Sequence, residues 1–149
     1  MTLVVNVNSN FCRFYQYHKH PAKLVLLKEI SQPDNKLKNS DLTTDKAGNF
    51  QGYDAGGSAY EPHMTPKKVK VNDFLRQIAH DLEDERNKHH FEKLILIAPP
   101  QVSGLLFQHL NKHMIGLIIN HIQKDLFYLK DHELITYLQT HAEFPDPIA

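Results

Sequence analysis

The chain has 149 residues, 41% hydrophobic and 23% charged, with 17 basic and 17 acidic side chains. That profile excludes a disordered chain and fits a single domain over residues 1–149 with a core of its own. Zero net charge excludes a strongly basic nucleic-acid binder, though not a local basic patch, and the one cysteine, Cys12, excludes an internal disulfide and fits a reducing compartment.

The N-terminal stretch MTLVVNVNSNF lacks a basic leader segment, and Asn6 and Asn8 break its apolar run. No apolar run approaches the ~20 residues of a membrane span. The expectation is a cytoplasmic protein with no membrane partner. Leu3–Val7 is short and β-branched, and Phe11–Tyr17 alternates aromatic and polar residues. Asn8-Ser9-Asn10 between them is turn chemistry, so the pair reads as a hairpin. Ala22–Ile30, introduced by Pro21, reads as a third strand.

From Ser31 to about Pro66 the chain is polar and holds four of the six glycines and three prolines. A connection of this length is usually a working loop or a mobile one. A helix follows, with Thr65 as its N-cap and Pro66 in its first turn. Val71, Phe74, Leu75, Ile78, Ala79 and Leu82 form one apolar stripe, with Asp73, Arg76, Gln77, Asp81 and Glu83 on the other face. The helix is expected to fray near Asn87–His90.

Leu94–Ala98 is apolar throughout, as a strand buried on both faces should be, and Pro99-Pro100 ends it. Val102, Leu105, Leu106, His109, Leu110 and His113 predict a second helix, and Ile115–Ile122 a fifth strand. Asp131 is placed to cap a last helix carrying Leu134, Ile135 and Leu138. The order βββ-α-β-α-β-α predicts an α/β fold. Three antiparallel strands followed by βαβα crossovers give a mixed five-stranded sheet with helices on its faces, the element order of a ribonuclease H-like domain.

An ordered set of short motifs runs through the chain: DLTTDKAGNF (Asp41–Phe50), GGSAYEP (Gly56–Pro62), PKK (Pro66–Lys68), LILIAPP (Leu94–Pro100), GLL (Gly104–Leu106) and KDL (Lys124–Leu126). Together they resemble the bacterial family named "protein required for attachment to host cells", from Leu3 to His141. That family is similar in turn to the middle domain of archaeal and eukaryotic peptide-chain release factors, which carries a Gly-Gly-Gln loop before its long first helix. Gly56-Gly57 holds the equivalent place, and the glutamine falls on Ser58, a side chain too short to replace it.

The resemblance implies a non-catalytic binding domain with the ribosome or tRNA as partner. The alternatives are hydrolysis of peptidyl-tRNA or another ester through the Gly-Gly-Ser loop, and a protein-interaction factor acting on attachment. The name describes a phenotype, which a cytoplasmic protein can influence indirectly. The oligomeric state stays open.

The candidate ligand-binding residues are Gly56, Gly57, Ser58, Tyr60, Glu61 and His63 in the loop, with Lys67 and Lys68 at the start of the helix. Glycines let a backbone approach a ligand closely, and Lys36, Lys38, Lys46, Lys67, Lys68 and Lys70 could together form a phosphate-binding rim. A solvated lysine face is the simpler alternative, because Asp34, Asp41 and Asp45 are interspersed. Ser58, His63 and Asp54 do not make a catalytic triad by proximity alone. Two-metal nuclease chemistry needs clustered carboxylates, and the first strand offers Asn6 and Asn8 instead. His109 and His113 have the i, i+4 spacing of a metal pair but no glutamate between them, and amphipathic placement accounts for them better. No catalytic residue, metal or cofactor is expected.

Overall fold

The computed structural model describes residues 1–32 and 65–141. Its centre is a mixed five-stranded sheet in the order β3-β2-β1-β4-β5. β1 (Thr2–Val7), β2 (Phe11–Lys19) and β3 (Ala22–Ser31) pair antiparallel in sequence. β4 (Lys93–Ile97) lies parallel to β1, and β5 (Ile118–Ile122) parallel to β4.

The β1–β2 turn is built by Asn8. Its side-chain oxygen accepts from the backbone N–H of Asn10 and of Phe11, both at 2.8 Å, and its own N–H donates to the Phe11 carbonyl at 2.8 Å. A short polar side chain thus stands in for a backbone acceptor and reverses the chain.

β1 takes the middle position because it places buried side chains on both faces of the sheet: Leu3, Val5 and Val7 on one, Val4 and Asn6 on the other. Leu3, Val5 and Val7 join Leu94, Leu96 and Ala98 in one core. Val4 joins Ile95 and Ile97 in the other. The first core is closed by α1 (Pro66–Asn87), α2 (Pro100–Phe107) and α3 (Lys112–Ile115), the second by α4 (Asp131–His141). Full burial of one such aliphatic side chain contributes about 1.5–3 kcal/mol.

α1 begins as expected: Thr65 Oγ1 accepts from the Lys68 N–H at 3.1 Å, and Pro66 supplies a preset φ in the first turn. All six residues of the predicted stripe are buried. An ion pair of Lys28 Nζ with Asp81 Oδ2 at 3.1 Å fastens the helix to β3.

Three sequence expectations need correction. The second helix does not run through to His113. Gln108, His109 and Leu110 donate to the carbonyls three residues back, at 3.2, 2.9 and 3.2 Å, so the chain tightens and the helix stops. Asn111 then caps α3, its Oδ1 accepting from the Met114 N–H at 2.8 Å. The fifth strand consequently starts at Ile118 rather than Ile115, since Ile115 closes α3. Finally, Asp131 does not cap α4. Its Oδ1 accepts from the Tyr15 hydroxyl at 3.2 Å, and Glu133 Oε1 takes the Lys130 N–H at 2.8 Å instead.

Candidate functional site

The sequence-predicted site divides. Gly56, Gly57, Ser58, Tyr60, Glu61 and His63 lie outside the described residues, as do Lys36, Lys38 and Lys46. Lys67 and Lys68 are described, in the first turn of α1. Lys67 and Lys70 are exposed and Lys68 is half-buried, and the turn contains no acidic residue. A helix N-terminus carries roughly half a positive charge from its aligned peptide dipoles and favours acids there, by about 0.3–1 kcal/mol each. α1 places lysines at that end instead. Its first turn therefore adds the charges of Lys67 and Lys68 to the positive end of the helix dipole.

The two histidines do not share one helix face. His109 sits in the turn after α2 and His113 in α3. The His109 Nε2 lies 2.8 Å from Asn72 Oδ1 on α1, and burial, followed by the nearby Arg76 charge, holds the ring below the usual histidine range. No three His, Cys, Asp or Glu side chains converge as a metal site among the described residues.

His121 and Ser103 come within hydrogen-bond reach, which no local pattern announced. His121 Nε2 is 2.9 Å from Ser103 Oγ, and the ring stacks on Phe107 with centroids 5.0 Å apart. Ser103 is only 2% exposed and its hydroxyl donates to the Ala98 carbonyl at 3.3 Å. With its hydroxyl bridging His121 and the Ala98 carbonyl, Ser103 fastens β5 to the β4–α2 junction. Asn6, on β1, is equally structural: 1% exposed, its amide donates to the Leu126 carbonyl at 3.3 Å and holds the segment between β5 and α4 against the sheet.

A cavity of about 270 Å³ opens where α1 meets the turn after α2. Arg76, Ala79, His80 and Glu83 line it from α1, and His109, Leu110, Asn111 and Met114 from the facing segment. Sequence reading assigned Arg76 and Glu83 to the polar face of a helix and gave them no task. The available signal was their spacing: positions 76, 80 and 83 recur along one side of α1 next to the apolar stripe. Glu83 is held by Arg86 and accepts from Asn111 Nδ2 at 3.1 Å, and those contacts, Arg86 first, keep its carboxyl below the usual range.

No helix among the described residues is long and apolar enough to cross a membrane. Comparison with known proteins adds two findings. A family model described as "protein required for attachment to host cells" matches residues 3–138. An uncharacterized protein of Rickettsia prowazekii (strain Madrid E) is 29% identical over 79 residues, which is 52% of this chain and 53% of that relative. The chain thus spans about half the length of the curated relative it matches.

Proposed function

The chain belongs to the family of proteins required for attachment to host cells, and from that premise we propose that it works by binding RNA, of the ribosome or of tRNA, through the basic start of α1. The observation that carries this reading is the first turn of α1, with lysines at 67 and 68 and no acid, and a further lysine at 70 just beyond it. Lysines at the positive end of a helix oppose folding. The same arrangement favours a phosphate, which meets both the side-chain charges and the N-terminal dipole.

The strand order β3-β2-β1-β4-β5 supports the finer reading of a ribonuclease H-like fold. That in turn supports kinship with the middle domain of release factors. On that reading Gly56, Gly57, Ser58, Tyr60, Glu61 and His63 complete the contact set with Lys67 and Lys68. Serine in place of the glutamine makes the role one of binding. An effect on attachment to host cells is then indirect.

The test is co-sedimentation with ribosomes, and retention on tRNA, across a salt series. Wild-type association should weaken as salt rises, since phosphate contacts release counterions. Lys67→Glu with Lys68→Glu should weaken it further and flatten the salt slope by about 1–2. Salt-insensitive association unchanged in the double variant would point to a protein partner. Peptidyl-tRNA turnover by wild type that disappears with Ser58→Ala would establish the hydrolase instead.

A further inference from the structure

The cavity between α1 and the turn after α2 is separate from the lysines discussed above, and its lining is chemically uneven. We propose that it binds a small organic monocarboxylate with an apolar body, the carboxylate held at Arg76 and His109 and the body lying on Ala79, Leu110 and Met114.

Size and floor come first. About 270 Å³ suits a molecule near the lower end of ordinary ligand pockets. Ala79 and Met114 are 7% and 1% exposed, so the floor is core material reaching the surface. Such a floor favours a ligand with apolar area to bury over a fully hydrated ion.

One end of the cavity carries the Arg76 guanidinium, ion-paired with Asp73. Arg76 comes from α1 and bonds Asp73 through Nη1 at 2.6 Å. A guanidinium has five N–H donors in a planar fork, so one such bond leaves the group able to take a carboxylate. Arg76 is largely exposed and is not needed to close the core. His109 faces it from the opposite segment. The bond of its Nε2 to Asn72 Oδ1 makes Nε2 the protonated nitrogen, because an amide oxygen only accepts. Nδ1 is then the basic position, so His109 meets the carboxylate only by taking up a proton, which the arriving anion favours and burial opposes. Arg76 and His109 both line the cavity, so the two groups border the same space.

The other end is acidic. Glu83 lines the cavity, held ionised by Arg86 and by Asn111. Seven residues along a helix separate it from Arg76 by about 10 Å. A second carboxylate on the ligand would point toward Glu83 and be repelled, whereas a neutral or hydrogen-bond-donating end is accepted. The class is therefore monoanionic. The single carboxylate among the lining residues also leaves a divalent cation without an adequate set of oxygen ligands.

The experiment titrates the protein with sodium benzoate against matched sodium chloride, following the Met114 methyl and His109 ring resonances. Wild type should show saturable shifts of both. Arg76→Gln, at an exposed position that preserves the fold, should weaken binding about tenfold, the factor for one charge-assisted hydrogen bond. Terephthalate should bind wild type more weakly than benzoate, and Glu83→Gln should remove that discrimination. The Lys67→Glu, Lys68→Glu double variant should bind benzoate as wild type does, so loss of RNA association and loss of this site are separable. Absence of saturable shifts in wild type overturns the site. Equal benzoate affinity in Arg76→Gln overturns the carboxylate clamp, and equal affinity for the two probes in wild type overturns the restriction to monoanions.

Discussion

β4 and β3 draw on nearly the same residues. LILI at Leu94–Ile97 and LVLL at Leu24–Leu27 are both unbroken aliphatic runs. In β4 all four side chains are fully buried. In β3 Leu24 and Val25 are half-buried, and Leu26 and Leu27 are 49% and 45% exposed. The difference is position. β4 lies between β1 and β5, with helices on both faces, while among the described strands β3 has only β2 beside it. β3 is also irregular: pairing passes from Phe14↔Lys28 to Tyr15↔Leu26, so Leu27 is an extra residue in the ladder. A bulge of this kind bends an edge strand and blunts it as a template for other chains. Composition therefore set the strand type in both places, and the neighbours set the burial.

The sharpest way to break this comparison is a pair of truncations. Leu96→Ala should destabilise the fold by about 2–5 kcal/mol, because it removes buried contacts and leaves a cavity. Leu26→Ala should change stability by less than about 1 kcal/mol. Urea midpoints for the two variants check this, and equal losses would place β3 inside a core.

Thiol chemistry sharpens the same contrast. Cys12, on β2, is fully buried, and desolvation, with Asp81 adding to it, pushes its thiol up from the ordinary range. Its reaction with a disulfide reagent should follow opening of the fold. A Leu27→Cys variant should react at once at the new site. Prompt modification of Cys12 in the native wild type would contradict the burial of β2.

A smaller effect should come from acid. Burial depresses the His121 pKa below the ordinary 6.5, and burial together with the Arg76 charge depresses that of His109. Both groups bind protons more readily when unfolded. Their contribution is thus fully present above about pH 6.5 and is lost as pH falls through the lower folded values. Thermal melts should show stability declining below that pH, with a shallower decline in His121→Gln. An unchanged profile in that variant would mean that His121 titrates normally.

The smallest expected change is at the exposed start of α1. Lys67→Glu puts an acid where the helix dipole favours one, and should raise stability by a few tenths of a kcal/mol up to about 1. The same substitution belongs to the pair expected to weaken RNA binding. Gain in one measurement with loss in the other would mark Lys67 as a residue held against stability; loss of stability would show that its local contacts outweigh the dipole.

What was legible in the sequence was whatever depends on near neighbours along the chain. The stripe from Val71 to Leu82 meets the 3.6-residue helical repeat, and each of its members is buried. LILIA carries no polar side to show to water, so a strand covered on both faces follows. The Thr65 cap and the Asn8 turn are contacts spanning two or three residues. The ordered motifs pointed to the same family that the comparison found. The three-dimensional arrangement decided what depends on distant partners. The run from Val102 to His113 looked like one helix, but a tightened turn and the Asn111 cap divided it. Asp131 had the residue type of a cap, yet Tyr15, 116 positions away, claimed it. Arg76 and His109 became walls of one cavity because the core draws α1 and the segment after α2 onto the same face of the sheet. Periodicity reports which side of an element is apolar. It carries no information on which polar side chains the packing of two elements will bring together, because that contact is formed only when both have docked.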